Sequence, residues 1–204
     1  MTGRILVVAK APMLGRVKTR LAATVGQDRA LALAAAFLAD TLVLVDRMDG
    51  ARGVLATTDG FQVPGEWPVW DQGGGGLGER LDRLARRALA DAPWVVLLGA
   101  DSPGLPLALL RAACDAAAAG KAAWIPAADG GFVALALPAC PPGLFDGIAW
   151  STAETGAEMA AACVRAGLDL VELPAWFDVD EEADLERLRR DVAPEDAPVT
   201  FMLL

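Results

Sequence analysis

Short apolar runs alternate along this chain with longer stretches whose apolar positions recur at helical spacing. Arg4–Ala9 is an almost continuous apolar run that ends in a loop, as expected of a strand buried on both faces. Gly53–Thr58, Trp94–Gly99, Ala122–Pro126, Phe132–Leu137 and Asp169–Leu173 read as further strands, Trp94–Gly99 (WVVLLG) most clearly. Helices are predicted over Gln27–Arg47, with Asp28 near its start, and over Leu77–Ala90. In the second of these, Leu77, Leu81 and Leu84 form the apolar face, and Arg80, Arg83, Arg86 and Arg87 the polar one. Pro106 opens a helix that Gly120 closes, and Thr152–Ala166 is a helix ended by Gly167. Glu182–Arg190 carries acids early and arginines late, complementing a helix dipole. The tail Pro198–Leu204 reads as a strand or as loose chain. This alternation predicts an α/β protein, a three-layer α/β/α sandwich around a mostly parallel sheet. With 204 residues and no repeat, linker or low-complexity segment, a single domain over 1–204 is expected.

Composition narrows the class. The chain is 54% hydrophobic and 22% charged, with a net charge of -9, which suits a well-filled core and disfavours a nucleic-acid partner. No apolar run reaches the ~18 residues needed to cross a bilayer, and no signal-peptide cleavage pattern follows the first run, so no membrane partner is expected. Cys114, Cys140 and Cys163 are odd in number and widely spaced, as in a reduced, cytoplasmic protein. The absence of histidine excludes His-based zinc sites, Ser-His-Asp triads and Cys-His pairs, leaving acid–base and metal chemistry to carboxylates, lysines, hydroxyls and backbone groups.

Charge is distributed unevenly. Residues 1–27 hold five cations and no acid, four of them in KAPMLGRVKTR: Lys10, Arg16, Lys18 and Arg20. Ligands of open α/β sheets bind beyond the carboxyl ends of the strands. There the later strands deliver Asp101 and Ser102 (GADSPGLP), Asp129 (PAADGGF), and Asp178 and Asp180 (FDVDEEADL). Cations on one loop and carboxylates on others suit a polyphosphate held by lysine and arginine and bridged to aspartates by a divalent ion. Mg2+ typically takes one or two carboxylates together with substrate phosphates. The alternatives are structural: a solvated basic loop, Asp101 as cap of the Pro106 helix, Asp178 and Asp180 as caps of the last helix, and Asp129-Gly130-Gly131 as a plain hairpin turn.

The stretch DQGGGGLGER matches GxGxxG through Gly73, Gly75 and Gly78. A dinucleotide fingerprint joins the first strand to the first helix, however, and PVWDQ makes a poor strand. The stretch reads instead as a flexible substrate-facing loop with Gln72, Glu79 and Arg80 available for contacts. Trp94 and Trp124 belong to the core. Trp150 in GIAWST stands beside Ser151 and Thr152, either as a staple with capping hydroxyls or as an aromatic platform for an acceptor.

AKAPMLGRVKTRLA (9–22), AFLADT (36–41), QGGGGLGERL (72–81), GADSPGLP (99–106), PAADGGFVALAL (126–137), FDGIAWST (145–152) and FDVDEEADLERL (177–188) together resemble a bacterial family of small glycosyltransferase-like proteins. That family has the nucleotide-diphospho-sugar transferase (GT-A) fold and is distantly similar to phospholactate and molybdenum-cofactor guanylyltransferases. The resemblance implies that Lys10, Gly15, Lys18, Arg20 and Gln72 bind the nucleotide and its phosphates. Asp101, Asp178 and Asp180 would ligate Mg2+ or Mn2+, with Asp101 and Lys18 the catalytic pair. Asp129, Gly130 and Gly131 would line the second substrate's pocket, to which the reading of the residues themselves adds Glu79, Arg80, Trp150, Ser151 and Thr152 as substrate contacts. Gly76 and Glu181 stand where that family often has Asp and Thr. The expected activity is metal-dependent transfer of a sugar from a nucleotide diphosphate sugar to a small acceptor. The alternatives are nucleotidyl transfer from a nucleoside triphosphate with release of pyrophosphate, and nucleotide binding without turnover. Lys18 is expected to matter more to the phosphates than Lys10.

Overall fold

A computed structural model of the chain describes residues 2–58, 61, 63 and 65–204. Seven strands form one sheet in the order β3-β2-β1-β4-β6-β5-β7. They are β1 (Gly3–Ala9), β2 (Ala51–Thr57), β3 (Val69–Asp71), β4 (Val95–Gly99), β5 (Ala122–Pro126), β6 (Phe132–Leu137) and β7 (Leu170–Glu172). All are parallel to their neighbours except β6, which runs antiparallel to both β4 and β5. The mostly parallel sandwich is therefore present. The parallel pairing explains the unbroken apolar runs, because helices cover both faces of the sheet.

The helices are α1 (Thr19–Val25), α2 (Gln27–Asp46), α3 (Leu77–Leu89), α4 (Leu107–Ala118), α5 (Thr155–Arg165), α6 (Glu182–Asp191) and α7 (Pro198–Phe201). Alternate strand residues feed opposite layers. Ile5, Val7, Val96 and Leu98 pack with α2 and α4, whereas Leu6, Val95 and Leu97 pack with α3 and α5. A third cluster joins Leu21 of α1 and Phe37 of α2 to Phe177, Val179, Leu185 and Leu188, tying the first loop to the last crossover. Cys114, Cys140 and Cys163 are free thiols, and burial pushes each up to about 11 or 12. No helix among the described residues is long and apolar enough to cross a membrane.

Four local expectations change. PVWDQ does supply a strand: Val69–Asp71 pairs with Leu55–Thr57 at the sheet edge, where neighbouring backbone compensates for weak local preference. Part of the basic loop is helical, because Leu21 has a core to enter, and Arg20 therefore lies on α1. Helix α5 begins at Thr155 rather than Thr152. The hydroxyls of Thr152 and Thr155 both donate to the Ala149 carbonyl, which holds 149–154 as turns. The tail is neither strand nor loose, since Pro198–Phe201 is a helical turn on α2.

The tail is fixed by one buried carboxylate. Asp40 is 3% exposed and accepts hydrogen bonds from Val199 N at 2.9 Å and Thr200 N at 2.8 Å. Losing charged acceptors in such a setting leaves buried N–H groups unpaired. Asp40→Ala is expected to lower unfolding free energy by about 2 kcal/mol in urea titration. Amide exchange at Val199 and Thr200 should rise with it.

Candidate functional site

The carboxyl ends of β1, β4 and β5 open onto one side of the sheet, and the loops leaving them converge there. The β1 loop brings Lys18 inward until its side chain is only 4% exposed. Its ammonium lies 3.1 Å from Asp101 Oδ2, after β4, and 2.8 Å from Asp180 Oδ1, in the crossover before α6. Burial pulls the Lys18 pKa down, but the two carboxylates outweigh it and leave it above its ordinary value. Asp180 is also paired with Arg20, whose other guanidinium nitrogen reaches Glu181 Oε1 at 3.2 Å. Burial pushes Asp180 up, but Lys18 and Arg20 prevail and hold it below the usual carboxylate range. A backbone bond from Val179 N to Asp101 O, 2.9 Å, joins the two acidic loops directly.

Asp178 has a different environment. Ser102 Oγ donates to it, and no cation pairs with it among the described residues. Burial pushes it up to about 6, with the negative charges of Asp101 and Asp129 adding to that rise while Ser102 and Lys18 oppose it. Neither Asp178 nor Asp180 caps α6 through its side chain. That task falls to Asp184, which accepts from the N–H groups of Asp180 and Glu181, both at 2.9 Å. Asp101 does not cap α4 either, as that helix starts only at Leu107.

These residues line two joined clefts. One, of about 380 Å3, is bounded by Lys10, Arg16, Lys18, Arg20, Gln72, Arg80, Asp101 and Asp180 and shares Lys10, Arg16 and Arg80 with a basic recess of about 780 Å3 that Gly73 and Gly74 also line. The other, of about 750 Å3, is bounded by Asp101, Asp129, Asp178 and Asp180, by Leu77, Leu81, Phe132 and Trp150, and by Lys10 and Arg20. Arg20 and Asp101 border both. The cationic and acidic loops read from the sequence therefore do meet.

Individual residues take more specific places. Gln72 is 2% exposed: its amide donates to the carbonyls of Ala9 and Ala56, each at 2.9 Å, and its Oε1 accepts from Arg80 at 2.9 Å. It is a buried strut that aims Arg80. Arg83, read as part of the polar face of α3, donates to the Gln72 and Gly74 carbonyls and clamps the glycine loop. Glu79 accepts from Gly76 N at 2.7 Å and ties down the start of α3. Gly78 permits a close approach, because a Cβ there would lie 2.7 Å from the Trp150 indole nitrogen. Trp150 stacks with Phe145 and meets Phe132 edge-on. Asp129 does close a hairpin turn, accepting from Gly131 N at 2.9 Å, yet Asp129 and Gly131 also line the larger cleft. Gly130 sits behind them at φ 92, pressed against the Ala153 carbonyl. Ser151, at φ 63, and Thr152 line the same cleft. Gly15 sits at φ 73 in an exposed turn, and Gly15, Glu79 and Gly130 are not among the lining residues. Arg16, Leu77 and Phe132 do line the clefts. Arg16 was visible in the sequence as a cation of the first loop, but nothing in the pattern set Leu77 or Phe132 apart from core residues.

The residues present fit a divalent cation only in part. Among the described residues no group of three or more His, Cys, Asp or Glu side chains could hold a metal by itself. Asp101 and Asp178 nevertheless supply oxygen donors, with uncompensated negative charge around Asp178. That matches Mg2+ or Mn2+ sites completed by substrate phosphates rather than by the protein.

An α/β sheet of this topology with a basic and an acidic cleft at its strand ends belongs to the nucleotide-diphospho-sugar transferase class of folds. The chain is a member of the bacterial family described as "Uncharacterized protein conserved in bacteria (DUF2064)", whose profile matches residues 22–152. A candidate nucleotide-diphospho-sugar transferase from Desulfovibrio desulfuricans G20 is similar at 30% identity and TM-score 0.88, over 100% of this chain and 94% of that one. Rv0371c from Mycobacterium tuberculosis H37Rv, in a complex with manganese, shares the fold at 20% identity and TM-score 0.53, over 94% and 100% of the two chains. So does 2-C-methyl-D-erythritol 4-phosphate cytidylyltransferase from Thermus thermophilus, at 17% identity and TM-score 0.57, over 93% and 100%. No curated protein matches the sequence.

The raised pKa of Asp178 has a direct consequence for stability. A carboxyl that binds its proton more tightly when folded contributes most below pH 3.8, and that contribution is lost as pH rises through about 6. In metal-free protein, Asp178→Asn is therefore expected to raise unfolding free energy at pH 7.5 by on the order of 2 kcal/mol. Urea denaturation should show the gain shrinking towards zero at pH 4.

Proposed function

We propose that this single-domain protein is a metal-dependent transferase that binds an activated nucleotide across the two clefts and moves a sugar from a nucleotide diphosphate sugar to a small acceptor. The observation that carries this reading is the junction of a cationic cleft with an acidic, aromatic one at Lys18 and Asp101. Lys10, Arg16 and Arg80 are suited to the phosphates: among the described residues Arg80 is held by neutral groups and Lys10 has no carboxylate partner. Gln72 serves them as a positioning residue through Arg80. The glycine-loop backbone floors the recess beside them.

The larger cleft favours a sugar and an uncharged acceptor. Asp129 and Asp178, which have no cationic partner among the described residues, disfavour a phosphorylated acceptor, whereas carboxylates and the Ser151 and Thr152 hydroxyls readily hydrogen-bond to sugar hydroxyls. Trp150 and Phe132 add apolar aromatic surface to the same cleft. In the reaction, the acceptor oxygen bonds to the anomeric carbon as the sugar–phosphate bond breaks, its hydroxyl proton passes to a carboxylate of the larger cleft, and the nucleoside diphosphate leaves. A divalent ion on Asp101 and Asp178 would neutralise charge on that leaving group. Lys10, Arg16 and Arg80 hold the departing phosphates, and in the metal-free protein Lys18 keeps Asp101 and Asp180 in place. Asp180, already matched by two cations, acts here as a positioning residue rather than as a metal ligand.

A second reading, nucleotidyl transfer, draws support from Lys10, Arg16 and Arg80, which all line the basic recess and would suit a triphosphate. Product analysis separates the two. Incubation with nucleotide sugars and Mn2+ should release nucleoside diphosphate, whereas pyrophosphate release from nucleoside triphosphates would establish the second reading instead. Asp101→Ala should lower metal-dependent release by at least about 100-fold with an unchanged circular dichroism spectrum. Folded protein with no turnover on any nucleotide would leave a binding protein. Lys10→Ala should weaken nucleoside diphosphate binding about tenfold by calorimetry, equivalent to one lost charge-assisted contact. Without metal, Lys18→Ala should weaken it less, reversing the order expected from sequence, because Lys18 is already engaged by two carboxylates.

A further inference from the structure

We infer that Lys18 is an internal counter-ion of Asp101 that a divalent cation displaces, and that the released ammonium then turns to the substrate's phosphates. The inference rests on the metal-dependent reading above and deepens it, giving Lys18 two successive positions.

The two partners of Lys18 are not equivalent. Asp180 has a second cation, Arg20, on its other oxygen, so it stays matched if Lys18 leaves. Asp101 has Lys18 as its one cationic partner among the described residues, and its side chain is 57% exposed. A metal can therefore approach Asp101 from the larger cleft while Lys18 occupies the carboxylate from the buried side. Two cations sharing one carboxylate repel each other, and of the two a divalent ion has the greater charge. Exchange leaves Asp101 with the metal and Asp180 with Arg20.

The backbone of Lys18 is also held in an uncommon conformation. Lys18 sits at φ 48, ψ 46 immediately before α1, with no side-chain cap on that helix. A non-glycine residue rarely adopts this left-handed conformation, and here the inward-pointing side chain and its ion pairs accompany it. The released ammonium has a place to go, since Lys18 borders the basic cleft together with Lys10, Arg16 and Arg80. Metal and nucleotide binding would thus reinforce each other: the metal frees a cation for the phosphates, and the phosphates stabilise the displaced lysine.

The test uses Mn2+ alone, without nucleotide. Calorimetric titration is expected to show Lys18→Gln binding Mn2+ about tenfold more tightly than the unaltered protein, within the usual range of coupling between sites. Lys18→Arg should stay near the unaltered value, because it keeps the competing charge. Equal or weaker Mn2+ binding by Lys18→Gln overturns the inference while leaving the metal reading intact. No Mn2+ binding by any of the three proteins overturns the inference, and the same result with a nucleoside diphosphate added overturns the metal reading as well. Reductive methylation of the unaltered protein, mapped by mass spectrometry, gives a readout that no folding defect can obscure. Lys18 should label slowly without metal and at least several-fold faster at saturating Mn2+, and unchanged labelling would overturn the inference.

Discussion

The site depends on one buried ammonium. Lys18 reaches Asp101 and Asp180 together, and through them the first loop, the end of β4 and the last crossover share a single charge centre. Without a cation between them these loops would bring like charges close together in a poorly solvated place, an arrangement that protonation or movement relieves. The apolar packing behind the site acts in the same direction. Leu21 and Phe37 meet Phe177 and Val179 directly below it, so the first loop and the last crossover are fastened by hydrophobic contact as well as by charge.

Around that centre, polar groups divide into those that face ligand space and those that hold others in place. Gln72 looks like a ligand contact in the sequence, but its amide joins the ends of β1 and β2 and turns Arg80 towards the cleft. Glu79 and Arg83 likewise fix the glycine loop. The four glycines at 73–76 are thus held by side chains on both sides of the turn. Asp178 represents the opposite choice. It is buried with a hydroxyl partner but no paired cation, a placement that disfavours its charged form and that a metal would correct.

Much of this was legible in advance, for physical reasons. Strands covered on both faces must be largely apolar, so most of the sheet announces itself, most plainly Val95–Gly99. The edge strand Val69–Asp71 did not, because three residues carry too little pattern and their pairing with β2 is a non-local event. The short helix α1 was hidden by its own charges: Arg20 reads as a loop cation until Leu21 is seen entering the third core cluster. The start of α5 moved by three residues because threonine hydroxyls captured the Ala149 carbonyl and stabilised a turn instead.

The sequence by itself determined the layers, the side of the sheet where chemistry is possible, and the types of group available there. Periodicity and the absence of histidine fix those, and both are properties of the chain read in order. Only the tertiary structure decided which charges are matched and which remain available. Lys10 and Lys18 are eight positions apart on the same basic loop, yet Lys10 has no carboxylate partner among the described residues while Lys18 is buried between two. Pairing depends on distances between loops that are far apart in sequence, and Coulomb energy at about 3 Å in a desolvated pocket differs greatly from that on an open surface.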